Sequence, residues 1–375
     1  MRGYVLPLVR NVVAAVRHSS RFAKGVGLTL GAILVVGAGI ALGDSKPDAL
    51  DALPAPIEVQ ARPIAAFDKL DLKKSRFGKL NWRGGLVLTS PSPNFGGWSG
   101  LALDDQGKGF VAVSDAGAWM TGTLVYDGDR PKAVRAVRLG PLQARSGAAL
   151  ASSDDRDAEG LAVVEGTPAK GRALISFERN HRIGWFDIDE KGFSPARSYV
   201  ALPGAMQDAK ANRGLEAVTK LRGGPYKGAV VAIAERLPDG SGNHTGWLWV
   251  NGKPQAFNLV NGDGYDITDV AALPDGGVLV LERRFRLSEG VKTRLRLVRR
   301  DELRPGALVR GETLLDATMN QEIDNIEGLA VHAGADGAVV VTMISDDNFN
   351  HALQRTVLLQ FALDAADLAS ARVRP

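Results

Sequence analysis

Acidic side chains recur along this chain in a fixed local setting. Five segments begin with a polar or acidic residue and continue into a short apolar run: Ser99-Gly100-Leu101-Ala102, Glu159-Gly160-Leu161-Ala162, Glu216-Ala217-Val218, Asp269-Val270-Ala271-Ala272 and Glu327-Gly328-Leu329-Ala330. Their starts lie 60, 57, 53 and 58 residues apart. Each unit has a second polar pair further on, at Ser114-Asp115, Glu178-Arg179, Glu235-Arg236, Glu282-Arg283 and Ser345-Asp346. Carboxylates gathered at one place raise one another's proton affinity unless a cation relieves them. The relief is either a bound hard metal ion, which takes oxygen ligands, or the adjacent arginines. The first case provides for metal-assisted hydrolysis with a carboxylate or imidazole as general base.

On this reading Glu159, Glu216, Glu327, Asp115 and His181 are the expected catalytic groups. Glu159, Glu216, Asp269, Glu327 and Asp346 are the expected ligands of Ca²⁺, with Mg²⁺ or another divalent cation as alternatives. Arg179, Arg213 and Arg236 are expected to receive substrate oxygens through paired N–H groups, helped by His244 and His351. The competing reading takes Glu178, Glu235 and Glu282, each followed by arginine, as ion pairs between structural units.

The intervening residues say what positions these groups. Turns rich in glycine and proline, such as Asp104-Asp105-Gln106-Gly107 and Pro274-Asp275-Gly276-Gly277, join the first apolar run of each unit to a β-branched second run. Two such runs make a hairpin, and in a hairpin the start of one strand lies beside the end of the other. Both polar signatures therefore share one sheet edge. Third and fourth strand-like runs complete each unit, and four short strands per 50–60 residues is the signature of a propeller blade. The expected fold is all-β, one propeller of five four-stranded blades, or six if Phe67 to Phe77 and the C-terminal tail form another. Leu80 to Thr89 is expected to supply the missing outer strand of the last unit and close the ring.

The N-terminus reads differently. Arg2, Arg10, Arg17, Arg21 and Lys24 precede an uncharged stretch from Val26 to Gly43, and Asp44, Asp48 and Asp51 follow. Cations before and acids after orient such a segment outward from the cytoplasm. Residues 1–43 are expected to be a signal peptide or a helical membrane anchor, 44–66 a linker, and 67–375 the propeller, located in the periplasm or outside the cell. A net charge of +4, partly contributed by that leader, gives no reason to expect nucleic acid. Zero cysteines excludes disulfides and thiolate chemistry. No P-loop, zincin or dinucleotide motif occurs, and Gly97-Trp98-Ser99-Gly100-Leu101 fails the nucleophile-elbow pattern at its last position.

Several ordered motifs resemble one family. Gly96-Gly97-Trp98-Ser99-Gly100-Leu101, Asp157-Ala158-Glu159-Gly160-Leu161 with Ser176-Phe177-Glu178-Arg179-Asn180, Asn212-Arg213-Gly214-Leu215-Glu216-Ala217, and Asn325-Ile326-Glu327-Gly328-Leu329 with Ser345-Asp346-Asp347-Asn348-Phe349 are similar to the phytase-like domain described as esterase-like activity of phytase. The resemblance covers about residues 80 to 365. It implies an exported propeller with phosphodiesterase or esterase activity on a small-molecule ester. A monomer is expected, touching membrane only through its N-terminal segment. A non-catalytic envelope scaffold and a sugar lactonase or dehydrogenase propeller are the alternatives.

Overall fold

Runs such as Val230-Val231-Ala232-Ile233-Ala234 and Val339-Val340-Val341-Thr342-Met343-Ile344 are β-branched, apolar and bounded by turns, and they form strands buried on both faces. In the computed structural model, which describes residues 54–207 and 214–369, strands assemble into five antiparallel-cored sheets. Blade 1 runs outward through Trp98–Leu103, Gly109–Ser114, Ala118–Asp127 and Arg130–Pro141. Blade 2 has Ala158–Thr167, Lys170–Phe177 and Arg182–Asp189, with Gly192–Phe193 and Ser198–Tyr199 sharing its outer position. Leu215–Lys220, Val230–Pro238, His244–Val250 and Lys253–Leu259 make blade 3, and Leu308–Val309 adds a parallel edge. Blade 4 is Asp266–Ala272, Val278–Arg286, Gly290–Val298 and Glu312–Ala317.

Blade 5 starts with Asn325–Ala333, Val339–Asp346 and Thr356–Leu363. Its next strand is Leu80–Thr89, antiparallel to Thr356–Leu363. Phe67 and Phe77 pack against Trp82 and Phe361 in this blade, their rings within about 5 to 6 Å, so the segment that could have begun a sixth blade instead fills the fifth. Within the stretch expected as linker, Ala55–Pro56 and Gln60–Ile64 pair along the outer edges of blades 1 and 5. The expected leader, residues 1–43, lies outside the described residues. Among those described, no helix is long and apolar enough to cross a membrane.

First strands of successive blades touch in cyclic order, blade 5 meeting blade 1. Five apolar clusters fill the five spaces between neighbouring blades, for example Leu174, Leu215, Val218 and Trp247 between blades 2 and 3. The core is thus a set of radial wedges around an axis.

Glu282 belongs to this scaffold. Its carboxylate pairs with the Arg296 guanidinium on the adjacent strand of its own blade, and Arg296 also donates to the Val260 and Arg310 carbonyl oxygens. The expected inter-blade pair at Glu282 is therefore an intra-blade one. Burial raises the Glu282 pKa, and Arg296 works against that rise. Removing one partner strands a buried charge, so Glu282→Ala is expected to cost about 3 kcal/mol in a denaturant melt. A loss below about 1 kcal/mol would show that water reaches Arg296.

Candidate functional site

A β-bulge interrupts the inner hairpin of every blade at the same place. In blade 1 Trp98 lies opposite Ser114 and Gly100 opposite Val113, which leaves Ser99 as an extra residue. The same counting leaves Glu216 in blade 3, Thr268 in blade 4 and Glu327 in blade 5. In blade 2, Ala158 opposes Phe177 and Leu161 opposes Ile175, so Glu159 is the extra residue before Gly160, whose N–H donates to Ser176 Oγ. A bulge bends its strand and re-aims a side chain. Here it collects Ser99, Glu159, Glu216, Thr268 and Glu327 into one layer around the axis.

One residue past the partner of the pre-bulge residue on each second strand comes a second layer: Asp115, Glu178 and Glu235, just beyond the paired end, and Arg283 and Asp346, paired with Asp266 and Asn325. The first three are held by backbone bonds from their N–H groups to the carbonyls of Gly97, Asp157 and Gly214 at 2.9 to 3.0 Å. Close approach of the inner strands keeps the layers tight. A Cβ at Gly100 would stand 2.6 Å from the Glu159 carbonyl oxygen, and one at Gly160 equally near that of Glu216, so glycine is required beside these bulges.

Oxygens of Asp157, Glu159 and Glu178 lie within 4.8 Å of one another, and so do those of Glu178, Glu216 and Glu235. Glu178 is common to both groups. Burial, followed by repulsion from neighbouring carboxylates, pushes Glu159 and Glu216 well above the usual carboxylate range. Asp346 is raised by burial and then by Glu327 and Asp115. Glu178 is raised by burial although Gly214 N–H donates to it at 3.2 Å. Burial carries Glu235 up to about 8 despite Arg236 and Arg283 nearby.

Beneath the first layer, two residues further along each of the five strands, stand Leu101, Leu161, Val218, Val270 and Leu329, all buried. These residues belong to the five inter-blade clusters, so the acids stand directly above apolar packing that disfavours their charged forms. A cavity of about 440 Å³ lies on its far side, reached from the other end of the channel and lined there by Leu103, Val163, Lys220 and Arg222. The acid mouth and this cavity are separate spaces.

The other expected residues are distributed unevenly. His181 stands with Glu178 against Gly214, and both of its ring nitrogens are buried without a hydrogen-bond partner. Arg179 meets Asp157 at 2.9 Å and Asp154 at 3.5 Å, while Arg236 meets Asp266 at 2.6 Å and Glu235 at 3.2 Å. His351 is exposed, its Nδ1 3.1 Å from Asp347. His244 is 3% exposed at the start of a third strand, and burial with the Arg296 charge drives its pKa down to about 4. Arg213 lies outside the described residues.

Asp269 is not part of the mouth layers. It stands where Gly100 and Gly160 stand in their blades, fully buried, and accepts from Leu329 N–H of blade 5 and from Val270 N–H, both at 2.7 Å. It ties two blades together. The bulge residue of its strand is Thr268. Sequence reasoning put Glu178 and Glu235 at the mouth edge, though with an ion-pair role as the competing reading, and it missed Thr268 and Arg283 as mouth residues and Asp157 as a member of a carboxylate group.

Fold and site together define a five-bladed β-propeller whose one mouth gathers buried, mutually repelling carboxylates. The chain belongs to the Phytase-like family, described as esterase-like activity of phytase, whose model matches residues 93–349. No curated protein matches the chain. Among solved structures it is similar to the N-terminal domain of Nup159, at 10% identity over 77% of this chain and 96% of that one with a TM-score of 0.35. It is also similar to an exo-1,5-alpha-L-arabinanase from a bovine ruminal metagenomic library, at 10% identity over 70% and 91% with a TM-score of 0.42. Neither likeness bears on activity.

Proposed function

We propose that the protein is an exported hydrolase of phosphate esters, phosphodiesters or related small esters, assisted by a divalent cation at the carboxylate mouth. The observation that carries this is the pair of carboxylate groups sharing Glu178. Their donors are all carboxylate oxygens, which suits Ca²⁺ or Mg²⁺ better than a softer metal. Asp157, Glu159, Glu178, Glu216 and Glu235 are the residues that would hold it. Such an ion, when bound, polarises an ester oxygen and lowers the pKa of water.

The chain's own groups supply the remainder. Glu327, next to Ser99 Oγ at 3.4 Å, and Asp346 offer carboxylates on the opposite side of the mouth for proton transfer. His181 has two unsatisfied ring nitrogens close to Glu178 with which to take or give a proton. Export rests on the charge pattern around residues 26–43, and the pairing of Leu80–Thr89 with Thr356–Leu363 supports reading it as the clasp that closes the ring.

A panel of phosphodiester, phosphomonoester and carboxylic ester substrates tests this in the presence of Ca²⁺ or Mg²⁺. Hydrolysis that falls at least about a hundredfold in Glu159→Gln and Glu327→Gln is the expected result. Unchanged rates in both variants would refute it. The pairing of Arg179 and Arg236 with acids favours one other reading, a non-catalytic binding propeller, for which cation titration would give no heat.

A further inference from the structure

Blade 4 departs from the pattern of the other blades in both mouth layers. Where four blades end their second strand in a carboxylate, it has Arg283, and where three blades place glutamate on the bulge, it has Thr268. Thr268 is 5% exposed and its Oγ1 has no hydrogen-bond partner. The two positions hold in blade 4 the places that Glu159 with Glu178 and Glu216 with Glu235 hold in theirs, and in those blades the paired side chains bring oxygens within 4.8 Å of each other. A buried hydroxyl lacking a partner costs free energy, so its retention at the mouth position of the one blade that also carries Arg283 points to a group that it serves when bound.

Resting on the proposed cation reading, we infer that Thr268 and Arg283 form an oxyanion subsite that receives the negatively charged oxygens of the substrate. Without ligand, Arg283 is occupied. Its guanidinium donates to Asn325 Oδ1, lies 3.1 Å from Glu327 and reaches Glu235 at 4.0 Å. Glu235 is also a member of the second carboxylate group. A cation that engages Glu235 therefore releases the Nη2 arm of Arg283, and that arm together with Nε can take an oxyanion bidentately while Nη1 stays on Asn325 and Glu327. Cation and anion binding are coupled through Glu235, and the coupling is reciprocal. The chemical class follows: a tetrahedral phosphate or a planar carboxylate, either of which fits a fork plus a hydroxyl.

Calorimetry on the full chain tests the subsite with Ca²⁺ alone, then with inorganic phosphate or acetate at saturating Ca²⁺. Phosphate binding stronger than acetate assigns the subsite to phosphoryl groups, and the reverse assigns it to carboxylates. Arg283→Gln is expected to weaken the preferred anion at least about tenfold and, by removing a fixed positive charge beside Glu235, to strengthen Ca²⁺ several-fold. Thr268→Val should weaken the anion several-fold and leave Ca²⁺ unchanged. Arg283→Lys, which keeps the charge and loses the fork, should fall between, and it carries the test if Arg283→Gln does not fold. Unchanged anion affinity in the Arg283 variants, or Ca²⁺ affinity that falls in Arg283→Gln, overturns the inference. Absence of Ca²⁺ binding in the wild type overturns the cation reading instead, and anion binding to the chelated protein that Arg283→Gln abolishes would then sustain the subsite alone. No anion binding under either condition overturns the subsite.

Discussion

Glu178→Gln is expected to weaken Ca²⁺ binding at the mouth by about a hundredfold or more, and at the same time to raise the melting temperature of the cation-free protein. Both effects come from the position of Glu178 between two carboxylate groups. A ligand of either group loses its partner ions when that charge goes, and even second-sphere partners of a metal typically account for 10- to 100-fold in affinity. In the absence of cation the same charge is a liability, since burial and then Asp157 disfavour it. Glutamine keeps an acceptor oxygen for Gly214 N–H, so the bond that fixes the side chain survives. A gain of about 1 kcal/mol would appear as a shift of about 1.5 °C in a protein of this size. Calorimetric titration and a thermal melt in chelator read the two signs independently. A variant that melts lower and binds Ca²⁺ as before would make Glu178 a structural residue.

Much of this architecture is legible in the sequence because strand polarity and spacing are local properties. Thr123 to Tyr126, Ile183 to Ile188, Arg294 to Val298 and Val357 to Phe361 read as third strands from β-branched content alone, and the observed strands extend them by a few residues at most ends. The common edge of the polar signatures follows from hairpin geometry. The five-fold count follows from repetition, with Phe67 to Phe77 and the C-terminal tail the segments that left a sixth blade open. Only packing against Trp82 and Phe361 decides that point.

The site is less legible, and the reason is the bulge. An extra residue in one strand moves every later side chain to the other face. In blades 2, 3 and 5 the acidic residue that opens the apolar run is itself the extra one, so Glu159, Glu216 and Glu327 were found. In blade 4 both Thr268 and Asp269 are polar, and composition favours the acid, whereas the register selects the threonine. The same one-residue displacement makes Glu282, not Arg283, look like the counterpart of Glu178 and Glu235. Aligning blade 4 on its Asp266-Ile267 start against Asn325-Ile326 of blade 5 would have placed both residues correctly. Nothing comparable marks His244, whose strand begins one residue earlier than the loop position suggested by His181.

Thermal stability in chelator is expected to fall as pH rises from about 6.5 to 8, and saturating Ca²⁺ is expected to flatten that slope. Glu159, Glu178, Glu216 and Asp346 all have folded-state pKa values raised above their unfolded values, and Glu235 is raised to about 8. Unfolded carboxylates titrate near 4. Each raised group contributes stability that is fully present below its unfolded pKa and is lost as pH climbs through its folded one. An ordinary paired carboxylate does the opposite. His244 acts against the trend only at lower pH, because its folded pKa of about 4 makes its stabilising effect present above the unfolded histidine value and lost as pH falls. The window above about 6.5 therefore isolates the mouth acids. A cation at about a thousand times its Kd adds about 4 kcal/mol at the upper end of that window, equivalent to roughly 6 °C in the melt. Melting curves at half-unit pH steps, with chelator and with Ca²⁺, measure the two slopes. If the chelated protein instead gained stability between pH 6.5 and 8, Arg179, Arg236 and Arg283 would already neutralise the acids, and the mouth would have no need of a cation.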